Sequence, residues 1–249
     1  MYSTLFWVTA ALAVILVGIS KAGFGGGTGI VATPLLALTI SVTDAAALLL
    51  PLLIIADLIS LYHYRHHFDR RLIRLMVPCA TVGIILGALF FDTFSHNERT
   101  LKLGIGLLSV LFVVFELFRA QIFDQLGEKR PSTLVGVVFS GLAGFTSTLA
   151  HAGGPPATIY LLPQQLTRQM FVGTSVMFFT AVNLIKLIPY SYLGLLRVGN
   201  LTTILILSPL AYLGVRLGIY LNGRFTDKWF NRLMYGLLFV TGVQLILGT

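Results

Sequence analysis

The feature that most constrains this chain is a succession of ten apolar segments separated by short polar links. They run Leu5 to Ser20, Thr28 to Ile40, Ala45 to Tyr64, Leu72 to Phe91, Thr100 to Phe118, Thr133 to Ala150, Ala157 to Leu166, Met170 to Tyr190, Leu201 to Leu221 and Leu233 to Leu247. A helix crossing a bilayer needs about 20 apolar residues, and six of these segments come near or within that range. Water is absent at that depth, so each backbone N–H and C=O has to be satisfied inside its own segment, as an α-helix does. We therefore expect an all-α, polytopic helical membrane protein. Only 10% of the 249 residues are charged, against roughly 25% in soluble domains.

The positive charge does not form a nucleic-acid surface. Much of the formal +8 falls in short loops, as the positive-inside rule requires of cytoplasmic links. The most basic link, His63 to Arg74, is placed in the cytoplasm, and counting spans then puts Arg119 to Arg130 and Asn222 to Arg232 on the same side. His63, His66 and His67 read as solvated members of that link rather than metal ligands. Cys79 is the only cysteine and lies in an apolar span, so no intramolecular disulfide is possible and a cysteine metal site is not expected. No Lys or Arg precedes the first apolar segment, which reads as a retained membrane segment rather than a cleaved signal.

Two glycine-rich breaks interrupt this pattern at equivalent places in the two halves: Lys21-Ala-Gly-Phe-Gly-Gly-Gly-Thr-Gly29 and His151-Ala-Gly-Gly-Pro-Pro156. The short segments beside them suggest half-helices or a tight helical hairpin in each half. Gly83, Gly87 and Phe94 recur 131 residues later as Gly214, Gly218 and Phe225; Asp57 recurs as Asn183 at 126, Gly27 as Gly154 at 127, and Gly104 as Gly236 at 132. Residues 1–119 and 133–249 are thus expected to be two membrane repeats joined by a polar cytoplasmic connector, 120–132. Five elements per repeat is an odd number, so the second repeat should be inverted. Paired breaks in inverted repeats mark the midplane site of secondary transporters.

The breaks also carry the chemistry of an anion site. A broken helix presents unpaired N–H groups and the positive end of its dipole, and glycine lets a ligand approach the backbone closely. Gly25, Gly26, Gly27 and Thr28 are the candidate donors in one half, and Gly153, Gly154 and the hydroxyls of Thr146, Ser147 and Thr148 in the other. Pro155 and Pro156 have no N–H and can only shape the break. No Gly-Lys-Ser/Thr follows the first glycine run, so it is not a nucleotide-binding loop.

Lys21 adjoins the first break, and is either an attracting cation or an interfacial anchor. Lys186 lies one turn from Asn183, so both can face one cavity; alternatively it snorkels to the interface. Asp57 is an acid well inside an apolar span and a candidate for coupling to protons, or else the permanent partner of Lys21 or Lys186. His151 follows Ser147 by four residues, which raises an intramembrane hydrolase with Ser147 as nucleophile and His151 as base; no acid nearby orients the base, and polar lining or substrate hydrogen bonding suits His151 better. A third reading is a non-transporting membrane scaffold, in which the paired glycines pack helices within or between chains, a homo-oligomer included.

The run Gly23 to Gly29 followed by Pro34-Leu-Leu36, its Gly153-Gly-Pro-Pro156 counterpart and the duplicated layout resemble the sulfite exporter TauE/SafE family over nearly the whole chain. The resemblance implies a transporter of sulfite, sulfonates or related small anions in the bacterial cytoplasmic membrane, working without a hydrolysed nucleotide or a cofactor. This chain carries His151 and a double proline where a run of glycines is expected.

Overall fold

The computed structural model describes residues 2–26, 29–94, 97–126, 131–196, 201–222, 224 and 227–248. They form ten α-helices: α1 (Thr4–Phe24), α2 (Ala32–Ala37), α3 (Val42–Tyr64), α4 (Arg70–Phe94), α5 (Glu98–Leu126), α6 (Thr133–Ala150), α7 (Gly154–Leu161), α8 (Arg168–Tyr192), α9 (Leu201–Leu221) and α10 (Asp227–Leu247). Eight of them, all but α2 and α7, are long and apolar enough to cross a membrane. The chain is a polytopic all-α membrane protein.

Local chemistry explains several helix starts. Ser3, Ser41, Ser132 and Thr167 each accept a hydrogen bond from a backbone N–H three residues on, which caps α1, α3, α6 and α8; an uncapped N–H in that position would go unsatisfied. Two helices end at the breaks in a left-handed residue: Gly25 at φ 73° after α1 and His151 at φ 53° after α6. Glycine adopts that conformation freely, whereas a histidine there costs about 1–2 kcal/mol and has to be held by its surroundings.

The segments beside the breaks differ from the expectation of four short pieces. α1 extends through Lys21 to Phe24 and α6 spans 18 residues, so only α2 and α7 are short. Each folds back on its predecessor as the second arm of a helical hairpin. Thr39 Oγ1 lies 3.4 Å from Thr9 Oγ1 near the start of α1, and a Cβ on Gly136 of α6 would fall 2.6 Å from the Tyr160 ring of α7. α5 runs on past the expected end of its apolar segment at Phe118 to Leu126, because no helix breaker occurs in residues 119–126.

The glycines paired at 131 residues are packing devices, whereas Gly104 and Gly236 have nothing within 4 Å of a Cβ. A Cβ on Gly83 of α4 would lie 1.9 Å from the Gly141 oxygen of α6, and one on Gly214 of α9 would lie 2.6 Å from the Ile15 oxygen of α1. Gly87 and Gly218 face Phe145 O and Ile19 O in the same way, at 2.9 and 2.7 Å. With no hydrophobic drive between helices in lipid, such close backbone approach supplies the dispersion contact that holds them. The two halves contribute these contacts reciprocally, α1 to α9 and α6 to α4.

Helices α3 and α8 cross at the centre and run antiparallel. Asp57 meets Asn183 a turn past the middle of each helix, while Tyr64 at the end of α3 packs on Val172 and Val176 near the start of α8. The end of α9 reaches the same end of the bundle, where Asn222 Nδ2 donates to Tyr64 Oη at 2.6 Å. Single cysteines at exposed His66 and Arg224, in a Cys79→Ser background, are therefore expected to react with an impermeant thiol reagent from one and the same side of the membrane. Labelling from opposite sides would overturn both this contact and the span count.

Candidate functional site

Three charged side chains are buried among the described residues, Lys21, Asp57 and Lys186, and all three belong to one cluster. The Lys21 ammonium pairs with Asp57 Oδ1. The second carboxylate oxygen, Oδ2, accepts from Asn183 Nδ2 at 2.6 Å. The group thus joins α1, α3 and α8 across the two halves of the chain. Lys21 sits in the last turn of α1, where the negative end of the helix dipole favours a cation, and its Nζ lies 5.9 Å from the centroid of the Phe179 ring.

Lys186 is fully buried and has different company. Its Nζ donates to Ser147 O and Ser147 Oγ, both at 3.0 Å, and contacts His151 Nδ1 at 2.8 Å. His151 Nε2 is 3.0 Å from Ala46 O. A carbonyl can only accept, so Nε2 carries the hydrogen and the neutral ring offers Nδ1 as acceptor. All three contacts of the Lys186 amine are thus with neutral atoms, and no carboxylate lies within ion-pair distance of Lys186 among the described residues. The same contacts hold His151 in its left-handed backbone conformation.

Between Lys21 and the Ser147 and His151 side chains that Lys186 contacts lies a small cavity of about 20 Å³, room for one water-sized group. It is lined by Val17, Lys21, Gly26, Leu53, Ser147, His151, Gly154, Phe179 and Asn183. Sequence reasoning named six of these nine residues and missed the apolar wall of Val17, Leu53 and Phe179, which carries no motif.

The glycines divide by role. Gly26, at φ 75°, and Gly154, the first residue of α7, face the cavity. Gly25 packs against Phe171, where a Cβ would come within 2.8 Å, and Gly153 packs on α6, where one would come within 2.6 Å of Ala143 O. Gly27 and Thr28 lie outside the described residues. Lys21 and Lys186 are not interfacial anchors: Lys21 is 7% exposed and Lys186 0%. Thr146 and Thr148 turn their hydroxyls to backbone oxygens of Leu142, Ala152 and Gly144. His63, His66 and His67 are exposed.

Two tyrosines escaped the sequence reading. Tyr64 Oη donates to Ala22 O, and Tyr190 Oη donates to Thr148 O, each at 2.8 Å and each across 42 residues. Ala22 and Thr148 follow Lys21 and Ser147 directly, so each phenol ties down the tip of a broken helix beside the cavity. The signal was present: the displacement that pairs Asp57 with Asn183 also pairs Tyr64 with Tyr190. It pairs Lys21 with Ser147 and Ser60 with Lys186 as well, so each half places one lysine and one serine at these two positions in opposite order.

The hydrolase arrangement is not favoured by this geometry. Both ring nitrogens of His151 are engaged by Lys186 and Ala46, and Ser147 Oγ meets Lys186.

A multi-pass helical membrane protein with buried cations where two helical hairpins converge is the class that fold and site together define. Residues 10–245 match the family described as Sulfite exporter TauE/SafE, and the chain belongs to that family, a family of membrane transporters of small anions. No curated protein and no solved structure matches the chain.

Removing one member of a buried ion pair strands the other charge, at about 3–5 kcal/mol, whereas replacing both members is often close to neutral. Lys21→Met alone is therefore expected to lower the thermal unfolding midpoint of the detergent-solubilised protein sharply, and Lys21→Met with Asp57→Leu to recover much of the loss. Additive losses in the double variant would show that the two groups are not energetically paired.

Proposed function

We propose that the protein is a secondary transporter that moves sulfite, a sulfonate or a related small anion across the bacterial cytoplasmic membrane. The observation that carries this reading is Lys186: a buried cation without a carboxylate partner, beside a cavity where both broken hairpins meet. Burying such a charge is expensive unless a ligand uses it, and a small anion is the ligand that offsets it. The substrate site comprises Lys21, Gly26, Ser147, His151, Gly154, Asn183 and Lys186, with Gly25 and Gly153 packing the breaks around it and Gly27 and Thr28 candidate donors from the sequence of the first break.

In this reading the two halves are inverted repeats, with residues 120–132 as the link between them and the basic end of the bundle in the cytoplasm. The reciprocal glycine contacts, the antiparallel crossing of α3 and α8 and the matched tyrosine bonds support it. Alternating access then arises from rocking of one half against the other about the fixed site. The cavity is too small for a sulfite-sized ion in the arrangement described, so substrate entry requires the hairpin tips to part.

Gly26 tests the site directly. Its φ of 75° disfavours any residue with a Cβ, and a leucine there would extend into the small cavity that Gly26 borders. Gly26→Leu is expected to insert in the membrane and to abolish sulfite and sulfonate flux in proteoliposomes. Normal flux in that variant would remove the first break from the site.

Asp57 is the group we assign to ion coupling. It is the one buried carboxylate among the described residues, and it is held by a lysine and an amide that anion binding would disturb. Asp57→Asn is expected to keep anion binding and passive exchange while losing acceleration by an imposed pH gradient. A variant that still couples fully would leave Asp57 as a purely structural partner of Lys21.

A further inference from the structure

The charge count of the buried cluster carries a statement about the substrate itself, one that rests on the anion-transport reading. With an anion enclosed, protonated Lys21 and Lys186 contribute two positive charges and ionised Asp57 one negative charge, and no other charged side chain is buried among the described residues. Both carboxylate oxygens are committed, Oδ1 to Lys21 and Oδ2 to Asn183. The excess positive charge therefore resides on Lys186, whose three contacts are all neutral. Around the cavity stand Val17, Leu53 and Phe179, which screen nothing. In such low-dielectric surroundings an unbalanced unit charge is far more costly than in water.

An anion enclosed here is judged by what it does to that sum. A singly charged ion brings the occluded cluster to neutrality, and a doubly charged ion leaves it with an unbalanced negative charge. We propose that the site selects singly charged oxyanions, such as sulfonates and hydrogensulfite, over doubly charged ones, and that Asp57 is the residue that sets this choice as a built-in counter-charge. Asp57 occupies one lysine and leaves the other for the substrate. The same cluster without the carboxylate would hold two free cations and suit a dianion.

The choice between charge states is separable from the chemistry of sulfur. Methanesulfonate is a monoanion and sulfate a dianion throughout the neutral range, and both present tetrahedral sulfur with oxygen acceptors. The test measures binding of each by calorimetry to the purified full chain and flux of each in proteoliposomes. Wild type is expected to favour methanesulfonate by about tenfold or more, and Asp57→Asn to move that ratio about tenfold or more towards sulfate, the direction a net gain of one positive charge dictates. Lys21→Gln with Asp57→Asn restores the original count and is expected to bring the ratio back towards methanesulfonate even where overall affinity falls. Lys186→Gln brings the empty site to neutrality and is expected to weaken both anions.

A wild-type preference for sulfate, or an unchanged ratio in folded Asp57→Asn, would overturn the charge rule while leaving anion transport standing. If Asp57→Asn does not fold, the folded Lys21→Gln/Asp57→Asn protein decides: retained preference for methanesulfonate supports the rule, and preference for sulfate overturns it. Wild-type protein that neither binds nor moves either anion would remove the transport reading, and the charge rule with it.

Discussion

The pair formed by Lys21 and Asp57, with Asn183 on the second carboxylate oxygen, ties together three helices from the two halves of the chain. Two charges inside an apolar bundle are tolerable only when each finds its partner, since the desolvation of either alone costs several kcal/mol. That requirement brings the tip of α1 to Asp57 of α3 and Asp57 to Asn183 of α8. The cavity lies where those three meet the end of α6. The tyrosine bonds to Ala22 and Thr148 then secure the two hairpin tips on which the lysine contacts depend.

The glycines of this chain answer to two different physical demands. Gly83, Gly87, Gly214 and Gly218 lie where a Cβ would collide with a neighbouring backbone oxygen, so they let α4 and α6, and α1 and α9, approach to backbone contact. Gly26 and Gly154 instead border the cavity, where the absence of a side chain keeps space and backbone open. Gly153 belongs with the first group despite sitting inside a break, and Gly25 is closed off by the Phe171 side chain. A glycine in a glycine-rich motif is thus not by that fact a ligand contact.

His151 shows how a departure from a glycine pattern is accommodated. The equivalent end of α1 is closed by Gly25 in the left-handed region, and α6 closes in the same conformation with a histidine. The backbone cost is offset by a side chain whose two ring nitrogens bridge Lys186 and Ala46. The substitution joins the second break to α3 and α8 through side-chain bonds, a connection that glycine is unable to make.

Much of the architecture was legible in the sequence because apolarity and helix breaking are local properties. The ten apolar segments became ten helices with ends displaced by up to eight residues, as in α5, and the two breaks fell where glycine and proline interrupt the pattern. Internal displacement also pointed to Asp57 and Asn183 as partners in position, and to the packing glycines. The misplaced details were local as well: α1 ran on to the left-handed Gly25, and α5 ran on past Phe118 through residues that hold no helix breaker.

The arrangement of charge was decided only by tertiary structure. Asp57 had Lys21 and Lys186 as equally available partners in the sequence, and the approach of α1 to α3 across 36 residues selected Lys21. Lys186 could equally have reached an interface, until the fold enclosed it beside Ser147 and His151. Apolar wall residues such as Val17, Leu53 and Phe179 have no signature at all, because any of the many apolar side chains on these helices suits the role. Segment type follows from each stretch of residues by itself, whereas partner choice follows from distances that exist only once the helices have packed.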